Sequence, residues 1–323
     1  MVSTSPELRA LAFDGHRLFE AFFPANSELR AWLDALQPGH RINISWQQTS
    51  GSGWIPHIPW GLMYRREPPH AGEPVDPLEF LALRFRIGYT PYKPQGGKNL
   101  GDLQNSYQAY LLYWGTTDPQ DPAGAESNWQ RQQWATWQNR VIVPATLPSN
   151  RAKEELLSLL TEPTPNPMNV LYLFCHCAVG EGNEPVLRFG ASVQLTDTLE
   201  RIDLGGQYLV DRPLVFANAC TTSAADPYIA NELETLFFER GCRAYLGTES
   251  KVPIQLASRF ARIFFHFFYR QADPAPMAAG EAVVQTRRLL WNHYRNIGGL
   301  FYTYINQYEL FMAQDAELIA LRA

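Results

Sequence analysis

Two apolar runs in this chain stop on side chains able to do covalent chemistry. The first, Val170-Leu171-Tyr172-Leu173-Phe174, breaks off at Cys175-His176-Cys177 and then turns glycine-rich at Gly180 and Gly182. The second, "RPLVFANAC", ends on Cys220. A thiol and an imidazole at two neighbouring strand ends can work as a pair. The imidazole takes or holds the thiol proton, and the thiolate attacks a carbonyl carbon. The Cys-His-Cys triplet also invites a metal. Side chains alternate faces along a strand, so Cys175 and Cys177 point one way and His176 the other, and the three converge on one ion only if the chain breaks there. No metal and no cofactor is therefore expected. Taken singly, each residue has a plainer reading. A histidine at a strand end is commonly a satisfied polar group, and Cys175 and Cys242 read as small buried apolar residues, as cysteine thiols often are. The joint placement of His176 and Cys220 is what favours chemistry.

That placement depends on the elements around them. From "AYLLYWG" onward, strand and helix patterns alternate: "AYLLYWG" (strand), "SNWQRQQWATWQN" (helix, with Trp129, Trp134 and Trp137 near one side), "RVIVPA" (strand), "SNRAKEELLSLLTE" (helix) and "NVLYLFCH" (strand). A short strand pair, "PVLRFGASVQL", comes next, then the strand "RPLVFANAC". The helix "DPYIANELETLFFERG" has Pro227 in its first turn and Gly241 as its stop. The strand "CRAYLGTE" precedes two long helices, "IQLASRFARIFFHFFYRQ" and "MAAGEAVVQTRRLLWNHY". Near-continuous apolar strands alternating with helices mark an α/β fold with a mostly parallel sheet covered on both faces. In such sheets, sites gather at the carboxyl ends of the strands. If the strands ending at His176 and Cys220 are parallel neighbours, both groups emerge at one edge.

Ahead of this lies a different pattern. "SPELRALAFDGHRLFEAFF" and "SELRAWLDAL" have the three-and-four spacing of amphipathic helices, with Ser27 as N-cap of the second. "RINISW" and the second half of "EFLALRFRIGYT" alternate as strands do, and "IPHIPWGLMY" is too rich in proline for a helix interior. The Pro/Gly loop "PYKPQGGKNLG" is the best boundary. It separates an N-terminal α+β part, residues 1–97, from a domain of residues 98–323.

Composition narrows the partners. Over 323 residues, with 46% hydrophobic and 18% charged residues, the chain is an ordinary globular protein. A net charge of −5 argues against direct nucleic-acid binding, which shows a basic face. The four cysteines have neither disulfide-framework nor zinc-ribbon spacing, which suits a reducing compartment. "MVSTSPELRA" lacks the basic and apolar regions of a signal peptide. "ARIFFHFFYR" is too short to span a bilayer. A cytoplasmic protein without membrane contact is expected. The strand-to-helix turns lack the Walker and dinucleotide glycine patterns, which disfavours a nucleotide-binding protein.

The ordered set "VLYLFCHC", "PVLRFGASVQLTDTLERIDL", "RPLVFANAC", a helix, and "GCRAYLGTE" resembles the CHAT domain, a caspase-like cysteine peptidase related to separase. "IPHIPWGLMY" resembles that family's upstream segment and "AAGEAVVQTRRLL" its alanine-rich terminal helix, so the resemblance covers most of the chain. It implies a caspase-like three-layer α/β/α sandwich with a mostly parallel central sheet and an N-terminal α+β extension. It also implies an endopeptidase with a His176/Cys220 dyad, the backbone N–H groups of Cys177 and Cys220 stabilising the oxyanion. Two departures stand out. Cys177 replaces the family's usual glycine after the catalytic histidine, and in "ESKV" after "YLGT", where a tryptophan and a valine are usual, only the valine matches.

By the same resemblance, Asn218, two before the nucleophile, lines the first specificity pocket; Glu249, just beyond "YLGT", reads either as a carboxylate at the pocket edge or as a surface acid on a loop. Glu181, Glu184 and Asp226 fall in segments flanking the dyad, where such acids are commonly just solvated; Glu181 and Asp226 are the further candidates for substrate binding. A basic residue before the cut and a neutral one both fit this set. The resemblance implies a protein substrate, and a protein activator or sensor in bacterial (antiviral) defence. An inactive caspase-like scaffold that binds a partner is the alternative; such relatives usually lose the Cys or the His, and this chain has both.

Overall fold

The computed structural model describes residues 5–45, 58–90, 102–103, 109–113, 122–134, 141–142, 170–179, 185–189, 191–192, 209, 212–219, 234, 237–238, 241–269, 277–306 and 310–312. Helix α1 is Pro6–Phe22, with Pro6 in its first turn, and Ser5 caps it by accepting from the Leu8 N–H. Helix α2 is Glu28–Ala35; the Ser27 hydroxyl oxygen accepts from the Arg30 N–H at 3.1 Å, the cap expected from the sequence. Strand β1, Arg41–Ser45, follows. The proline-rich segment forms only a short 3-10 turn, Trp60–Leu62. A four-residue helix α3, Leu81–Arg84, then leads into β2, Arg86–Thr90.

Beyond the Pro/Gly loop, which lies outside the described residues, come β3 (Asp102–Leu103), β4 (Ala109–Tyr113), helix α4 (Pro122–Trp134) and β5 (Val141–Ile142). The helix expected over "SNRAKEELLSLLTE" and the position of Trp137 also lie outside. Strand β6 is Val170–Phe174, β7 is His176–Val179, β8 is Pro185–Phe189 and β9 is Ala191–Ser192. Strands β10 (Leu214–Asn218) and β11 (Ala244–Thr248) complete the expected core strands. Between them, Gly241 has φ of 99°, a backbone angle that glycine adopts without strain; most of the helix expected before it lies outside the described residues. Helices α5 (Ile254–Phe268) and α6 (Ala279–Tyr294) precede β12 (Tyr302–Asn306) and β13 (Phe311–Met312).

Among the described residues, eight strands form one sheet in the order β1-β2-β12-β11-β10-β6-β4-β5. Every neighbouring pair is parallel except β11 with β12. The expected α/β fold with a mostly parallel sheet is thus what the chain adopts. Strand β12 has no counterpart among the elements expected from the sequence. Its direction follows from the two helices before it. Helix α5 carries the chain back along the sheet and α6 carries it forward again, so β12 starts at the edge where β11 ended and must run antiparallel to it. Through β12 the sheet continues into β2 and β1, so the N-terminal part and the remainder share one sheet.

All five residues of β6, of β10 and of β11 are buried, which requires cover on both faces. On one face Phe216 of β10 meets Phe260, Phe264 and Phe265 of α5 at ring-centroid distances of 6.1, 5.5 and 5.9 Å. Tyr302 of β12 stacks on Phe260 at 3.6 Å. On the other face Tyr245 of β11 stacks against Phe237 at 6.1 Å. Around α1 and α2, Phe19, Phe23, Leu33, Met63 and Phe85 make a separate apolar cluster. Above it Glu79, 3% exposed, is paired with Arg65 at 2.9 Å and Arg66 at 3.2 Å, while Arg65 reaches Asp34 at 2.7 Å.

Candidate active site

The parallel register aligns the carboxyl ends of three strands. Tyr113 of β4 pairs with Phe174 of β6, and Phe174 pairs with Asn218 of β10. His176 follows Phe174 by two residues, and Cys220 follows Asn218 by two. The two strands are therefore parallel neighbours ending level, so the residues that follow them leave the sheet at one edge. Cys220 itself, Glu181 and Asp226 lie outside the described residues. His176 and Cys177 are described as backbone in β7, where they pair antiparallel with Arg188 and Leu187 of β8.

The chain bends at Cys175, between β6 and β7. Cys175, His176 and Cys177 therefore do not lie on one unbroken strand, and strict alternation of faces does not apply to them. Cys175 is buried at the bend, 9% exposed. Cys242 is buried as well, and burial, helped by the charge of Glu234, pushes its thiol pKa well up, so it stays protonated and inert.

Asn218 is 1% exposed, and its amide is used inside the protein. Its Nδ2 donates to the Tyr172 hydroxyl at 2.9 Å and to the Ala257 carbonyl at 2.8 Å. Its Oδ1 accepts from the Tyr302 hydroxyl at 2.8 Å. Tyr172 in turn donates to Gln130 Oε1 at 3.0 Å. One buried polar chain thus ties β10 to β6, α4, the first turn of α5, and β12. Burial raises the Tyr172 pKa, with the Asn218 and Gln130 hydrogen bonds opposing it, so the phenol stays neutral. Strand β11 adds a second tie. Thr248, 1% exposed, donates its hydroxyl to the Ala219 carbonyl, the residue immediately before Cys220.

Glu249 stands one residue past β11, at the same edge. Its carboxylate accepts from the Thr303 hydroxyl on β12, and its N–H donates to the Phe301 carbonyl at 2.7 Å. Its charge also acts on Arg287. That guanidinium is 5% exposed and donates to the carbonyls of Gly299 and Ala82 (each 3.2 Å) and of Tyr302. Burial lowers the Arg287 pKa to about 10, and Glu249 opposes the shift. Tyr172, Gln130, Thr248 and Tyr302 were not singled out from the sequence. The available signal was a tyrosine inside the otherwise apolar run "VLYLF" and an asparagine closing "LVFAN".

No helix among the described residues is long and apolar enough to cross a membrane. No family model matches the chain. A protein of Vitiosangium sp. (strain GDMCC 1.1324) named "Probable protease" is 31% identical over 171 residues, which is 51% of this chain and 21% of that protein. The chain therefore spans about a fifth of the length of the curated relative it matches. Among solved structures, Saccharomyces cerevisiae separase in complex with securin aligns over 72% of this chain and 15% of its own, with TM-score 0.45 and 15% identity. The Arg-specific cysteine proteinase gingipain R of Porphyromonas gingivalis aligns over 71% and 55%, with TM-score 0.44 and 9% identity. The Drosophila initiator caspase Dronc aligns over 63% and 80%, with TM-score 0.38 and 13% identity. Likeness at these scores carries no residue-by-residue correspondence.

Proposed function

We propose that this chain is a cysteine endopeptidase acting on a protein substrate, with Cys220 as nucleophile and His176 managing its proton. The observation that carries this reading is the register of β6 and β10. Neighbouring strands lie about 4.8 Å apart, and both chains leave the edge level with one another, two residues before the proposed dyad. The stretch of identity shared with a protein named as a protease supports the same reading.

The Cys220 thiolate adds to the scissile carbonyl, and the proton it gave up rests on His176. The N–H groups of Cys177 and Cys220 receive the oxyanion, a role in which losing one donor costs about 3–4 kcal/mol of barrier in a known protease. His176 then protonates the leaving amine as the carbon–nitrogen bond breaks. Water, losing a proton to His176, cleaves the thioester, releasing the acid and regenerating the thiol.

The ties of Asn218 to Tyr172, Ala257 and Tyr302 support a part in fixing the strand end, in place of contact with substrate. Those of Glu249 to Thr303 and Arg287 support an internal countercharge. Glu181 and Asp226 are left as the proposed substrate-side acids, in segments adjoining the dyad. A CHAT-type peptidase in bacterial defence, switched on by a protein partner, is the finer form of the proposal. The segments "AVGEGNEP" and "TTSAADP", beside the two proposed reacting groups in the sequence, are where such a partner would act.

The test is mapping of newly formed N-termini in cells making wild type, Cys220→Ala or His176→Ala. Specific cleavages in wild type that vanish in both variants are expected. A specific cleavage retained by Cys220→Ala would remove the assignment.

A further inference from the structure

We propose that Thr248 is a positioning residue that orients the backbone N–H of Cys220 toward the oxyanion; this rests on the peptidase reading above. The Ala219 carbonyl and the Cys220 N–H belong to one peptide group, which is planar, so a hydrogen bond that holds the carbonyl also holds the direction of the N–H. The carbonyl lies just past the end of β10, where the ladder to β6 has stopped at Asn218 and Phe174. It accepts a hydrogen bond from the Thr248 hydroxyl, on the next strand over. Thr248 is itself fixed. It is the last residue of β11, buried, and paired with Tyr302 across the antiparallel β11–β12 ladder. Tyr302 also donates to Asn218, two residues before Cys220, so both residues preceding the nucleophile are tied to the β11–β12 pair. Donation to a peptide carbonyl also polarises that peptide and makes its N–H a better donor. The hydroxyl therefore acts on the oxyanion amide in two ways, by direction and by strength, without touching substrate.

Two reactions at the same thiol separate this role from simple packing. Acetylation of Cys220 by p-nitrophenyl acetate passes through a tetrahedral oxyanion as the thiolate adds and p-nitrophenolate leaves. Alkylation by iodoacetamide displaces iodide directly and forms no oxyanion. Both rates are measured on the full chain as the part lost in Cys220→Ala. Thr248→Val, nearly isosteric but without a donor, is expected to slow acetylation at least tenfold while changing alkylation less than twofold. Thr248→Ser, which restores the hydroxyl, is expected to return acetylation to within about threefold of wild type. Removing an oxyanion donor outright costs about a hundred- to a thousandfold, so a misdirected donor falls at the lower end or below. Equal slowing of both reactions, unchanged acetylation in Thr248→Val, or failure of Thr248→Ser to recover would each overturn the proposal while leaving the dyad standing. A wild type with no Cys220-dependent acetylation, either alone or together with its co-purifying proteins, would instead sink the peptidase reading, and this one with it.

Discussion

Asn218→Ala is predicted to destabilise the protein by about 2–4 kcal/mol, and the figure follows from its partners. Truncation leaves the Tyr302 hydroxyl without the acceptor it has at 2.8 Å. A buried polar group so stranded costs about 1–3 kcal/mol. Tyr172 keeps its bond to Gln130, and the Ala257 carbonyl remains the acceptor for its own helix, so these losses are smaller. The small cavity adds about 1 kcal/mol. Tyr302→Phe strands Asn218 Oδ1 in the same way and is expected to cost about 1–3 kcal/mol. The double variant removes donor and acceptor together, so it should fall short of the sum of the singles by about 1–2 kcal/mol. Urea unfolding followed by tryptophan fluorescence measures all three. An Asn218→Ala loss below about 0.5 kcal/mol, or additivity within about 0.5 kcal/mol, would refute the buried network. So would a second result: if Asn218→Asp kept wild-type stability and acquired a preference for a basic residue before the cut, the side chain would have to face substrate and not the core.

Two further predictions concern pH and control. The Cys242 thiol has its folded pKa raised above the unfolded value near 9.0, so the folded state keeps its proton where the unfolded state loses one. Its contribution to stability is therefore full below pH 9 and falls as pH rises above it, by up to about 1.4 kcal/mol per pH unit; urea midpoints from pH 8 to 10 should show Cys242→Ala losing less stability than wild type, and parallel curves would count against the burial argument. For control, the purified chain is expected to cleave poorly and a partner to stimulate it at least tenfold, about 1.4 kcal/mol of barrier. Equal turnover of one substrate with and without every co-purifying protein would contradict that account.

Much of the sheet could be read from the chain because its strands announce themselves locally. "VLYLF", "LVFAN" and "AYLGT" are short apolar runs bounded by polar or glycine-bearing segments, and all three are buried strands. Strand β12 escaped because "YTYIN" sits after the last long helix, where alternation expected nothing. The information was present in the count of helices. One helix between strands returns the chain for a parallel partner, whereas two deliver it to an antiparallel one, and among the described residues α5 and α6 follow β11 with no strand between. The N-terminal strands joined the same sheet for a related reason. Once β12 runs against β11, its free side can accept β2 in parallel, so the Pro/Gly loop divides the sequence without dividing the sheet.

The site divides differently. That His176 and Cys220 each follow an apolar run is visible in one dimension, and the level ends of β6 and β10 come from pairing those runs in register. Their support is not visible in this way, because it is made of contacts between residues far apart in sequence. Thr248 reaches Ala219 across 29 positions, and Tyr302 reaches Asn218 across 84. Each of these side chains, read alone, is an ordinary threonine or tyrosine in a strand. What makes them specific is that a buried hydroxyl must find a partner, and at a strand end the nearest unsatisfied groups are those of the residues about to leave the sheet. A polar side chain near the end of a buried strand is therefore pushed, by the cost of burying it unpaired, toward the backbone that leaves the sheet there. Tyr172, Thr248 and Tyr302 each lie within five residues of the point where their strand meets that edge. The same desolvation penalty that makes a polar residue in an apolar run expensive makes it a good anchor for the peptide before Cys220.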